Sequence, residues 1–122
     1  MKSIQIKWVY SPKEANEFRV LVDKTSPHGR ELHDLNIDRW CPQVGPSQAI
    51  LRQLNKQEIT LQAFKHLYMH EIHLQPEKLS ELVELAQTTN LTLVTAQRES
   101  DLRWVETLKA MLEIRLKNKA NS

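Results

Sequence analysis

Glycine and cysteine are scarce in this sequence of 122 residues, and their scarcity excludes several kinds of functional site. The two glycines, Gly29 and Gly45, stand too far apart for a dinucleotide-binding G-x-G-x-x-G motif or a Walker phosphate-binding loop. The single cysteine, Cys41, excludes an intrachain disulfide and a zinc site built from several cysteines.

Long apolar segments and a strong excess of one charge are also missing. No stretch approaches the roughly 20 apolar residues of a membrane span, and the amino terminus lacks the apolar region of a signal peptide. The 17 basic and 15 acidic residues give a net charge of +2, without the dense basic stripe typical of nucleic-acid binders. We therefore expect a cytoplasmic protein without a membrane partner. Association with a nucleic acid through the mildly basic ends of the chain is the least favoured alternative.

The composition that is present is that of an ordinary globular chain. Hydrophobic residues make up 40% and charged residues 26%, which excludes intrinsic disorder of the whole chain. The length predicts a single domain over residues 1–122, with a frayed tail at residues 118–122.

Three segments carry the pattern of β-strands. Apolar residues alternate over 4–10, with Ile4, Ile6, Trp8 and Tyr10 on one face. Residues 18–23 form a nearly continuous apolar run, which indicates a strand buried on both faces. Residues 91–96 predict a third strand.

Helical patterns occupy most of the remaining chain. Ser47 is a typical N-cap for a helix over 48–54, and Asn55 with Glu58 predicts a capping box for a helix over 56–74. Pro76 opens a helix to residue 89, and a last helix is predicted over 100–117. Residues 31–46 predict short helical turns and irregular chain.

The order of these elements predicts an α/β fold. A long helical connection separates the second and third strands, as a crossover between parallel strands requires. We expect a small, at least partly parallel sheet of about three or more strands with helices packed on it. An α+β arrangement is the alternative.

A set of short motifs follows the chain in a recognisable order. It starts with Arg19-Val20-Leu21-Val22-Asp23 and continues through Pro27, Gly29, Trp40, Pro46-Ser47, Phe64, Tyr68, Glu71, Ile72, Thr92-Leu93-Val94 and Ala96. In these positions the chain resembles the domain of unknown function 488 family of YeaO-like bacterial proteins. The resemblance covers nearly the whole chain, and it implies the family's fold but no settled activity.

The chain departs from the family pattern mainly at polar positions. Lys24 and His28 stand where the family usually has arginines, and Ser26 stands where it has a tryptophan. After the third strand, Gln97-Arg98-Glu99 replaces the family's A-[KR]-D. The resemblance therefore implies a divergent member with the family's fold and a rewritten pocket.

The loops after the second and third strands are the best candidate for a ligand pocket, because ligands of α/β sheets bind beyond the carboxyl ends of the strands. The residues predicted to line it are Asp23, Lys24, His28, Arg30, Gln97, Arg98 and Glu99. The basic members of this set would hold a small anion. Asp23 could orient His28 by a hydrogen bond, so that His28 acts as a general base. In the alternative interpretation, Asp23 caps a turn and the basic groups are solvated.

The other chemistry-bearing residues have structural interpretations. His66, His70 and His73 share one side of a helix, away from its apolar face, and we expect an exposed row without a metal. We expect Cys41 to be buried and inert, and Trp8, Trp40 and Trp104 to belong to the core. Glu71 lies on an apolar helix face and needs a partner, either in a salt bridge such as one with Arg19 or as an acid in the pocket.

Two functions compete on these observations. The first is a non-catalytic binding or accessory module, whose partner is a small anionic ligand or another protein. The second is a small hydrolase-like or transferase-like enzyme that acts on a phosphate-bearing or nucleotide substrate. The changed polar positions favour the first, and we expect no cofactor in either case.

Overall fold

The structure, a computed structural model, describes residues 4–25, 32–96 and 102–120. Its sheet has four strands: β1 (Gln5–Trp8), β2 (Glu17–Leu21), β3 (Arg39–Trp40) and β4 (Asn90–Thr95). All neighbouring strands run parallel, in the order β1-β4-β2-β3. The predicted α/β class with a parallel sheet is confirmed.

Four α-helices and two short 3-10 helices complete the described chain. The α-helices are α1 (Gln48–Asn55), α2 (Leu61–His73), α3 (Pro76–Thr88) and α4 (Arg103–Ala120). The 3-10 helices, Leu32–Leu35 and Pro42–Val44, fall in the segment where short helical turns were predicted. Even the 18-residue α4 is too polar for a membrane span, and no other described helix combines the necessary length and apolar character.

The helices share one face of the sheet. The strand residues Val20, Leu91 and Leu93, with Ile4 just before β1 and Val22 just after β2, pack in one cluster with buried residues of all four α-helices. The helical members include Ile50, Leu54, Phe64, Tyr68, Ile72, Leu79, Leu82, Trp104, Val105 and Leu108. Successive side chains of a strand point to opposite faces of the sheet. Val20 and Leu93 therefore face this cluster, while the next residues, Leu21 and Val94, face the opposite side.

The opposite face of the sheet has a smaller core. Leu21 and Val94 pack there with Val9, Leu35 and Ile37. This side of the sheet is therefore covered by the first 3-10 helix, by the residues just after it and by the residue that follows β1. The second strand is therefore buried on both faces, as its apolar run predicted.

Two predictions from the sequence are wrong: the burial of Trp8 and Trp40 in the core, and the start of the second helix. Trp8 and Trp40 are 58% and 39% exposed, because each is the last residue of an edge strand with a neighbouring strand on one side only. Trp104 is buried as predicted. Helix α2 begins after Thr60, whose hydroxyl accepts a hydrogen bond from the backbone N–H of Ala63, and not at residue 56.

The end of α1 explains why α2 starts late. Gln57 adopts a left-handed conformation with a φ of 59°, and the N–H of Glu58 bonds back to the carbonyl of Gln53. This is the hydrogen-bond pattern of a Schellman helix end. It redirects the chain before Thr60 can cap the next helix.

Candidate functional site

Asp23 joins the carboxyl ends of two neighbouring strands. It lies two residues beyond β2, and it is buried. One carboxylate oxygen accepts a 2.6 Å hydrogen bond from the Thr95 hydroxyl, and the other accepts a 2.8 Å bond from the backbone N–H of Ala96. Since Thr95 is the last residue of β4, the carboxylate ties the ends of β2 and β4 together.

Burial dominates the electrostatics of this carboxyl group. Desolvation raises the pKa of Asp23 above its ordinary value, and the hydrogen bonds from Thr95 and Ala96 offset part of this rise. A raised pKa is common among catalytic acids and bases. Here, however, each carboxylate oxygen already accepts a hydrogen bond from the protein, which is the geometry of a structural tether.

Asp23 and Lys24 are hydrogen-bonded to the end of β3 and to the segment that follows it. The indole Nε1 of Trp40 donates a 2.8 Å hydrogen bond to the Asp23 carbonyl oxygen. The Lys24 ammonium donates a 3.2 Å hydrogen bond to the carbonyl of Pro42. These two contacts hold the start of the loop after β2 against the end of β3 and the second 3-10 helix.

A cavity of about 80 Å³ lies at this edge of the sheet. Its walls come from the loop after β2, the entry to α1 and the first turn of α4, and its lining residues are Asp23, Lys24, Thr25, Gly45, Pro46, Gln48, Leu51 and Trp104. Gly45 allows this close approach of backbone segments, because a Cβ there would stand 3.0 Å from the carbonyl oxygen of Val22.

Trp104 lines the cavity and also carries a buried indole N–H. Its side chain is 2% exposed, and its ring packs edge-on against Tyr68 at 6.3 Å between centroids. The buried Nε1 hydrogen has no acceptor among the described residues. Such an orphaned donor costs about 1–3 kcal/mol, so a buried indole N–H normally has a partner.

The amino terminus of α1 is occupied by a carboxylate of the protein itself. Glu71 accepts a 2.8 Å hydrogen bond from the Ser47 N–H and a 2.6 Å bond from the Ser47 hydroxyl. Ser47 is also the predicted N-cap, since its hydroxyl accepts from the N–H of Ile50. The predicted salt bridge between Glu71 and Arg19 is wrong, because the helix terminus satisfies Glu71 instead.

Arg19 has its own ionic partner on the other face of the sheet. Its fully buried guanidinium lies 3.1 Å from Glu17, and it donates to the carbonyls of Val9 and Leu35. Glu17 in turn contacts the Lys7 ammonium at 2.6 Å. Sequence reasoning missed this buried cluster, although Glu17 and Arg19 share one face of β2 by their spacing.

The structure describes only part of the predicted pocket. Asp23 and Lys24 line the cavity, and their role in binding a ligand stays a prediction. The other predicted members, His28, Arg30, Gln97, Arg98 and Glu99, lie outside the described residues. Gln48 and Trp104 were missed, and the signal that could have found Trp104 was its place in the first turn of the helix after the last strand.

The remaining candidate residues do not converge on this site. His66, His70 and His73 are exposed on α2, as predicted. Cys41 is buried, and desolvation is the main reason that its pKa is raised, which disfavours a reactive thiolate. Over the described ranges, no three histidine, cysteine, aspartate or glutamate side chains are grouped so that they could hold a metal ion.

Comparison with known proteins decides the family. A family model described as "Inactive DUF488-N3 subclade" matches residues 3–122. The chain belongs to the domain of unknown function 488 family. The family resemblance carried by the ordered motifs is thereby confirmed over nearly the whole chain.

Bacterial relatives in this family are moderately similar to the chain. The uncharacterized protein YeaO of Escherichia coli is 27% identical over 99 residues, which cover 80% of this chain and 86% of YeaO. The uncharacterized protein Rv3073c of Mycobacterium tuberculosis is 35% identical over 80 residues, which cover 66% of this chain and 67% of the relative. No solved structure is significantly similar to the chain.

Proposed function

We propose that this member of the domain of unknown function 488 family is a non-catalytic binding module whose ligand site is the cavity at the carboxyl ends of β2 and β4. The observation that carries the proposal is the state of Asp23. Both oxygens of this buried carboxylate accept hydrogen bonds, one from Thr95 and one from Ala96. The group that would otherwise be the best candidate for a general base therefore has a structural role.

Two further features favour binding over catalysis. The description of the matching family model names an inactive subclade. Two residues that could carry a nucleophile also have structural roles or are shielded. The Ser47 hydroxyl accepts from the Ile50 N–H and Glu71 accepts from the Ser47 N–H, so both cap the start of α1, and Cys41 is buried with a raised pKa.

The cavity itself has the features of a ligand site. It combines apolar walls from Pro46 and Leu51 with a few polar groups, as small-molecule sites commonly do. Its charged lining, in the part that the structure describes, is one carboxylate and one ammonium, Asp23 and Lys24. Additional positive charge from Arg30 and Arg98, and with it an anionic ligand, stays a prediction from the sequence.

The proposal is tested by comparing turnover in the wild-type protein with turnover in Asp23→Asn. Both proteins are incubated with phosphate monoesters and nucleoside triphosphates, and product release is followed over hours. We expect the same background rate in both, because Asp23 does no chemistry. Turnover by the wild type that disappears in a folded Asp23→Asn variant, checked by circular dichroism, would overturn the proposal.

A further inference from the structure

We infer that a second cavity, at the amino ends of the strands, binds a polyol, a small uncharged molecule with hydroxyl groups on neighbouring carbons. This cavity has a volume of about 140 Å³ and is formed by the starts of β1, β2 and β4. It shares no lining residue with the cavity of the proposed function, so the two sites are independent. Its lining residues are Gln5, Asn16, Glu17, Asn90, Leu91 and Thr92.

Strand geometry places most of these polar side chains on one face of the sheet. Val9, Leu21 and Val94 pack in the smaller core, on the face away from the α-helices. Side chains two residues apart along a strand share a face, so the polar residues that precede these three by even steps lie on the same face. They are Gln5 and Lys7 of β1, Glu17 and Arg19 of β2, and Asn90 and Thr92 of β4. At its amino end, this face of the sheet is therefore polar.

The charges beside the cavity balance one another. The buried Glu17 carboxylate lies 2.6 Å from the Lys7 ammonium and 3.1 Å from the Arg19 guanidinium. Lys7 also contacts Glu14 at 3.3 Å. Two cations and two carboxylates thus form one network, in which a charged ligand would meet a like charge next to each opposite one. This balance favours an uncharged ligand.

Three side-chain amides supply the groups that would recognise the ligand. Within the described chain, the amides of Gln5, Asn16 and Asn90 form no hydrogen bond with another protein group. An amide has two donor hydrogens and an acceptor oxygen, and a hydroxyl group both donates and accepts. Either end of an amide is therefore complementary to a hydroxyl, and a molecule with several neighbouring hydroxyls can bond to all three amides.

The lining offers little apolar surface to a flat ring. Of the described residues that line the cavity, only Leu91 is apolar, and it packs in the larger core on the other face of the sheet. A nucleobase or another aromatic ligand would therefore lack a stacking partner, whereas a polyol needs none. At roughly 30 Å³ for each water, the cavity holds about four or five waters, which is the space of a polyol of about four carbons.

Four unbranched molecules with four carbons each test the inference by nuclear magnetic resonance. The ¹⁵N-labelled protein is titrated separately with erythritol, 1,4-butanediol, putrescine and succinate at constant ionic strength. We expect erythritol to shift the side-chain amide resonances of Gln5, Asn16 and Asn90 saturably, in the millimolar range. Because 1,4-butanediol lacks neighbouring hydroxyls, it should bind at least about fivefold more weakly, the effect of one hydrogen bond. The backbone resonance of Gly45, in the other cavity, should not shift.

The parallel titrations include the results that would contradict the inference. Saturable shifts with putrescine or succinate, and none with erythritol, would overturn the assignment of an uncharged ligand. Equal affinities for erythritol and 1,4-butanediol would overturn the role of neighbouring hydroxyls. Shifts that spread over the whole chain without saturation count as no binding and would overturn the site. Saturable shifts confined to Gly45 would also overturn it, while supporting the cavity of the proposed function.

Substitution of the amides checks that they are the recognising groups. Gln5→Met keeps the length of the side chain and removes the amide, so the affinity for erythritol, read from Asn90, should fall by about fivefold. Gln62→Met, at an exposed glutamine of α2, is the matched control and should leave the affinity unchanged. Asn16→Ala, before β2, is the second variant if Gln5→Met does not fold. Unchanged affinity in the folded variants of the cavity would overturn the inference.

Discussion

The hydroxyl of Thr95 donates a 2.6 Å hydrogen bond to the carboxylate of Asp23, 72 residues away in sequence. Thr95 is the last residue of β4, and Asp23 lies two residues beyond the neighbouring parallel strand β2, so this bond joins the two strands at the edge of the sheet at which α/β proteins bind ligands. Under the proposed binding function, the same contact gives this carboxylate a structural role in place of acid–base chemistry.

The raised pKa of Asp23 predicts an unusual pH dependence of stability. Because its pKa is higher in the folded protein than in the unfolded chain, the folded state binds more protons between the two values. The contribution of Asp23 to stability is therefore largest below its ordinary pKa of 3.8 and is lost as the pH rises through the folded value. Relative to Asp23→Asn, the wild type should become more stable on acidification from pH 7 to pH 4, as measured by urea unfolding.

Asp38 is the matched control for this pH dependence. The hydrogen bond from the Arg19 N–H and the contact with Lys13 lower the pKa of Asp38, despite the opposing effect of burial. Its contribution to the free energy of unfolding should therefore be lost as the pH falls below 3.8. The difference in the free energy of unfolding between the wild type and Asp38→Asn should become smaller over the same range. The same trend for both variants would contradict the assigned environments.

The buried ionic cluster around Arg19 predicts a large loss of stability when one member is removed. Arg19→Met leaves the Glu17 carboxylate with Lys7 alone and should lower the free energy of unfolding by about 3–5 kcal/mol. Arg39→Met is the matched control, since Arg39 pairs with Glu81 on the surface and its loss should cost at most about 1 kcal/mol. Equal losses in the two variants would show that Arg19 is not buried with its partner.

The left-handed residue at the end of α1 predicts a stabilising substitution. Gln57 has a φ of 59°, which glycine adopts without steric cost, so Gln57→Gly should raise the free energy of unfolding by about 1 kcal/mol. Asn36, with a φ of 56°, is the control, because asparagine tolerates this conformation and Asn36→Gly should gain less. Thermal and urea unfolding of both variants measure the difference, and a destabilised Gln57→Gly would contradict the helix end described above.

The exposed histidine row on α2 predicts almost no effect on stability. Replacing His66, His70 and His73 together by glutamine should change the free energy of unfolding by no more than about 0.5 kcal/mol, as is usual for surface positions. Metal that survives dialysis against a chelator in the wild type, and is lost in the triple variant, would assign the row a function instead.

The sequence was informative wherever a periodic pattern was long enough. The alternation that contains Ile4 and Ile6, and the stripe of α3 that contains Leu79 and Leu82, identified real elements because burial of one face requires that spacing. Strand β3 has two residues, too few for a period, and it was missed. Trp8 was misplaced because alternation identifies a face of a strand and does not show whether anything covers it.

The candidate site was less predictable because its contacts join distant parts of the chain. Asp23 and Lys24 could be assigned from their place after a strand, a general property of α/β sheets. The predicted partner of Glu71 was wrong. A carboxylate on an apolar helix face needs a hydrogen-bond donor, but the sequence pattern does not show which donor it meets. Ser47, 24 residues away, supplies it only once α1 and α2 pack together.

The bond between Asp23 and Thr95 is the contact on which the structural role of Asp23 rests, and a double-mutant cycle measures its strength. The free energies of unfolding of wild type, Asp23→Ala, Thr95→Val and the double variant give the coupling between the two side chains. We predict a favourable coupling of at least about 1 kcal/mol, as expected for a buried hydrogen bond to a carboxylate. Additive effects, with no coupling, would show that the Asp23 carboxylate is not tethered to Thr95, and would contradict the structural role on which the proposed function rests.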